Sequence, residues 1–72
     1  MSQIVLNETV EQRLHDLPPT LQALTVYLTK QNNGLRIYEL MNYVNIEKGK
    51  AIHVMSDGLS YSTNTEDKWY VL

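Results

Sequence analysis

Three marks of chain punctuation, Pro18-Pro19, Asn32-Asn33-Gly34 and Gly58, cut the sequence into four segments, none long enough for more than a few turns of helix or a few short strands. In the first, Asn7 can cap a helix over 8–16 in which Val10, Leu14 and Leu17 recur at spacings of four and three, until Pro18 withholds the next amide. Ile4-Val5-Leu6 ahead of it reads equally as a strand or a hydrophobic lead-in. The second segment predicts a helix starting at Pro18 or Pro19, where proline is tolerated, with Leu21, Leu24 and Leu28 on one face beside Ala23. It ends near Gln31, because Asn32-Asn33-Gly34 supplies residues able to adopt positive φ.

Beyond that turn, Ile37, Leu40, Met41 and Val44 fit helical spacing and predict a third helix over 36–44. A fourth is read over 47–57, with Ala51, Val54 and Met55 inward and Lys48 and Lys50 outward. Gly49 weakens it by about 1 kcal/mol relative to alanine. After Gly58, LSYST and KWYVL flank Asn64-Thr65-Glu66-Asp67 and read as a β-hairpin. The order predicts an α+β fold, a small winged helix-turn-helix of three helices plus a C-terminal β-hairpin, with an extra N-terminal helix. One domain spans 1–72: an N-terminal addition over 1–17, a helical core over 18–57 and a wing over 58–72. Its expected core is Leu24, Leu28, Leu40, Val44, Val54 and one of Trp69 or Tyr70.

At this size only roughly 60% of the unfolded surface is buried, which leaves little room for an enclosed active site. With no cysteine, disulfides and thiolate metal sites are excluded, so stability rests on packing. His15 and His53 stand far apart with no zinc-binding spacing, no glycine elbow supports a Ser-His-Asp arrangement, and no glycine-rich phosphate loop is present. The expectation is a non-enzyme with no cofactor and no metal. No run approaches the ~18 apolar residues of a membrane span, and 1–6 lacks the features of a signal peptide, so the reading is an intracellular protein, cytoplasmic or nuclear. Six basic against eight acidic residues give a net charge of −2, which counts against nucleic acid as the main partner.

Gly34-Leu35, Glu39-Leu40, Val44 and above all GLSYSTNTED from Gly58 to Asp67 carry a resemblance. Over about 19–69 the chain resembles the winged-helix domain at the C-terminus of the middle subunit of replication protein A, where a glycine introduces a strand with Tyr-Ser-Thr and then an acidic wing. Residues 1–17 have no counterpart, and 47–57 is one residue short of the pattern. The resemblance implies a protein-binding module that holds a basic helical segment of a partner in DNA metabolism. It places Asp57, Tyr61, Ser62, Thr63, Glu66 and Asp67 on the binding surface. Trp69 and Tyr70 are strand neighbours and face opposite ways, so whichever is exposed adds apolar contact beside the carboxylates. Acidic and asparagine residues are also ordinary turn formers, the plainer reading of Glu66-Asp67.

The rival expectation is a small DNA-binding regulator that reads duplex DNA with 47–57 as recognition helix, through Lys48, Lys50 and His53, with Arg36 and Lys68 on phosphates. Glu47, Asp57, Glu66 and Asp67 make that field mixed rather than basic. The leucine stripe of the second helix and residues 1–17 equally suit a homodimer, since a small core gains stability by association.

Overall fold

The structure, a computed structural model, describes residues 12–72. The helix expected over 8–16, its Asn7 cap and the Ile4-Val5-Leu6 segment therefore lie wholly or mostly outside the described residues. The described part opens with a short 3-10 turn, Leu14–Asp16, and continues into one α-helix, α1, Leu21–Gln31. Four strands follow: β1 Glu39–Asn45, β2 Lys50–Met55, β3 Ser60–Thr63 and β4 Trp69–Val71.

The helix starts after both prolines, at Thr20, whose Oγ1 accepts from the Ala23 amide at 3.2 Å. It stops where Asn33 and Gly34 take φ of 58° and 84°, and Gly34 N donates back to the Thr29 carbonyl at 2.9 Å. Leu24 and Leu28 are its buried residues.

The strands form one antiparallel meander in the order β1-β2-β3-β4. Register assigns each side chain to a face. With His53 opposite Tyr61 and Thr63 opposite Trp69, one face carries His53, Met55, Tyr61 and Trp69. That face holds the core: Met55, Tyr61 and Trp69 pack with Leu17, Leu24, Leu28 and Ile37, flanked by Leu14, Leu21, Ala23 and Tyr27. The other face carries Met41, Tyr43, Ile52, Val54, Ser60, Ser62 and Tyr70. Among the described residues no helix lies on that side.

This is not the winged helix that the periodicity implied. One helix and a four-stranded sheet stand in place of three helices and a hairpin, and 36–44 and 47–57 form strands. Gly49, read as a weak point in a helix, has φ 67° in the β1–β2 turn, where its amide donates to the Asn45 carbonyl at 2.7 Å. Asn45 Oδ1 accepts from the Lys48 amide at 3.3 Å and closes the same turn. The core shifts accordingly. Leu40 and Val44 are exposed and Val54 is only partly covered, whereas Met55, Tyr61 and Ile37 are buried. Of the two aromatic candidates Trp69 is the core residue and Tyr70 is half-buried. The hairpin expected at the C-terminus is present as β3 and β4, but as half of a sheet rather than a wing.

Candidate functional site: the uncovered sheet surface

An α-helix is about 10 Å across and strands sit about 4.8 Å apart, so one helix covers about two strands. The core residues facing α1 come from β3, β4 and the end of β2, and among the described residues β1 is left bare on both sides. Leu40, Met41, Tyr43, Val44 and, in the following turn, Ile46 are between 48% and 92% exposed. On the open face, Ile52 is only 4% exposed, sheltered among strand neighbours that include Tyr43 directly opposite. Around it Met41, Tyr43, Val54, Tyr70 and Leu72 form an apolar floor, with Ser60 and Ser62 between them.

The floor opens, at the end of the sheet where the β1–β2 and β3–β4 turns meet, into a depression of about 460 Å³ lined by Lys48, Lys50, Thr63, Asn64, Thr65 and Tyr70. The β3–β4 turn is tightly specified. Asn64 Oδ1 accepts from the amides of Glu66 at 2.8 Å and Lys68 at 3.0 Å, and Asp67 takes φ 61°. Asp67 Oδ1 lies 3.2 Å from Lys50 Nζ. The Glu66 carboxylate has no ion-pair partner among the described residues.

The sequence-derived protein-binding set is divided by the fold. Glu66 and Asp67 are exposed at the β3–β4 turn and Thr63 is partly covered, but Tyr61, Ser62 and Trp69 are buried. Their polar atoms serve the fold. Tyr61 donates its phenol to Asp57 Oδ2 at 2.7 Å, Ser62 Oγ donates to the Ala51 carbonyl at 2.7 Å, and Trp69 Nε1 donates to the Pro18 carbonyl at 2.8 Å. Burial, then the hydrogen bond to Asp57 and that carboxylate's charge, hold the Tyr61 phenol well above its ordinary value. Asp57 sits in the β2–β3 turn at the opposite end of the sheet from Glu66 and also accepts from the Leu59 amide, so it buttresses a turn.

The basic set is no better assembled. With 47–57 a turn and a strand, the recognition helix of the DNA-binding reading does not exist. Lys48, Lys50 and Lys68 cluster at the two adjoining turns, alternating there with Glu47, Glu66 and Asp67, while Arg36 precedes β1 at the far end. His53 faces the core side, its Nδ1 hydrogen-bonded to the Glu39 carboxylate and its ring edge-on to Trp69 at 5.6 Å. Among the described residues no group of three His, Cys, Asp or Glu could hold a metal ion, and no helix is long and apolar enough to cross a membrane.

Met41, Val54 and Tyr70 are core candidates by sequence, whereas helical spacing says nothing of Tyr43, Ile52 and Leu72. The alternations Met41-Asn42-Tyr43, Ile52-His53-Val54 and Tyr70-Val71-Leu72 were the available signal, each placing apolar residues on one face of a strand. No protein-family model, no curated protein and no solved structure matches this chain.

Proposed function

We propose that the protein is a non-catalytic protein-binding module that seats an amphipathic helical segment of a partner across the open face of its sheet. The observation that carries this reading is the asymmetry of the two faces: α1 covers one, and the other presents Met41, Tyr43, Val54, Tyr70 and Leu72 around a buried Ile52, with no second layer among the described residues. Sheets find their stable arrangement between layers, and a partner helix supplies a layer that the described residues do not place on this face. Its apolar stripe lies on Tyr43, Ile52 and Tyr70. A basic residue at its end meets Glu66, the tip carboxylate with no ion-pair partner among the described residues, so the acidic hairpin tip orients the segment while the floor holds it. Affinity is modest, roughly micromolar, since a short segment loses its disorder on docking.

The test is fluorescence anisotropy of a labelled Leu/Lys amphipathic peptide at low and moderate salt. Binding is lost in Tyr43→Glu, and in Glu66→Lys it weakens with a flatter salt dependence. Equal binding by both variants and the parent protein overturns the proposal.

A further inference from the structure

The open face leaves β1 itself unexplained, because among the described residues this strand is bare on the core side as well, where Val44 projects opposite Ala51. Soluble proteins protect edge strands with lysine, proline or a covering element. Glu39–Asn45 contains neither lysine nor proline, its one charged side chain, Glu39, is already engaged with His53, and among the described residues no element covers its outer edge.

We infer that β1 pairs with β1 of a second copy of this chain, antiparallel about a two-fold axis at Asn42, joining two four-stranded sheets into one of eight strands. The register is selected by the side chains. Centred on Asn42, it sets Met41 against the partner's Tyr43 on the open face and Leu40, at the bulge, opposite the partner's Val44, and the Asn42 carboxamides meet each other. Centred two residues later, it sets Tyr43 against Asn45 and Asn42 against Ile46. Two residues earlier, it sets Met41 against Glu39. The Asn42 register alone matches apolar with apolar on both faces, and an isologous contact requires this self-complementarity. The exposed parts of Leu40, Met41, Tyr43, Val44 and Ile46 amount to roughly 500 Å² per copy, at the upper end of a monomer's largest patch. Doubled, they reach the roughly 1,000 Å² of a specific interface. Pairing also satisfies the outward amides and carbonyls of β1, and it leaves the open face of each copy continuous across the dimer.

Sedimentation equilibrium of the full chain up to roughly 100 µM tests this, well above the roughly micromolar dissociation constant that an interface of this size supports. The expected result is a dimer that Val44→Lys weakens at least 100-fold at unchanged circular dichroism, by placing a charge against the partner's Leu40. Val44 is on the core side, so this variant still binds the amphipathic peptide and separates failure here from failure of the docking proposal. The chain has no cysteine, so Asn42→Cys forms a covalent dimer under mild oxidation, and Val26→Cys, exposed on α1, does not. A monomer throughout the range, a dimer indifferent to Val44→Lys, or equal cross-linking of the two cysteine variants overturns the inference.

Discussion

The indole Nε1 of Trp69 donates a 2.8 Å hydrogen bond to the carbonyl oxygen of Pro18, across 51 positions of chain. This contact ties β4 to the segment that launches α1 and fixes which face of the sheet the helix covers. Trp69 is only 3% exposed, and the Pro18 carbonyl that it meets also accepts from the Thr20 amide at 2.8 Å. Trp69→Phe removes the bond and part of the indole volume, and it costs about 1–3 kcal/mol. Urea denaturation followed by far-ultraviolet circular dichroism checks this; a change below about 0.5 kcal/mol shows the bond does not hold the layers together.

Gly49 distinguishes the two readings of 47–57 by the sign of one substitution. In a helix interior, Gly49→Ala stabilises by about 1 kcal/mol. At φ 67° in the β1–β2 turn it destabilises by about 1 kcal/mol through backbone strain alone, because an added Cβ meets no atom within 4 Å. Equilibrium urea melts of the two proteins report the sign.

What the sequence disclosed follows from where periodicity survives in the fold. Leu21, Leu24 and Leu28 pack on one continuous face, so α1 kept an unbroken helical pattern, and Asn33 and Gly34 ended it with the positive φ their chemistry suggests. Tyr61 and Ser62 alternate across β3, and the hairpin was legible. The strand β1 was not, because the described residues bury neither of its faces and so no side enforces alternation. A bulge at Leu40 shifts parity between Glu39 and Met41, so Ile37, Leu40, Met41 and Val44 fall by accident at helical spacing. The misread core then misplaced the surface. Tyr61 and Trp69 looked available for a partner only because α1 had no sheet to cover, whereas Ser62, on the open face, is enclosed by its own strand neighbours and bonded to the Ala51 carbonyl. The β-branched and aromatic run Ile52-His53-Val54 and the Asn45-to-Gly49 turn were the evidence against a helix.

Leu40 and Leu24 exchange the roles that helical periodicity gives them. Leu24 is 0% exposed, so Leu24→Ala costs about 2–5 kcal/mol and leaves a cavity. Leu40 is 59% exposed, and Leu40→Ala costs under about 1 kcal/mol in the monomer. Denaturant melts at a concentration below that of self-association check the pair.

The Tyr61 phenol, raised by burial and by its bond to Asp57, makes stability fall in alkali. The fold favours the neutral phenol, so its contribution is fully present below the unfolded value of about 10 and is lost as pH rises above it. Tyr61→Phe cannot titrate there. Urea midpoints at about pH 8 and about pH 11 therefore fall further for the parent protein than for Tyr61→Phe. Equal falls show that Tyr61 is not the responsible group.

Amide chemical-shift mapping during titration with the Leu/Lys peptide tests the docking face most directly. The account predicts shifts concentrated at Met41, Tyr43, Ile52, Val54, Ser62 and Tyr70, with Glu66 moving and the exposed side of α1 around Gln22 and Val26 unmoved. Shifts centred on α1, or on Asp57 at the opposite end of the sheet with the open face silent, contradict it.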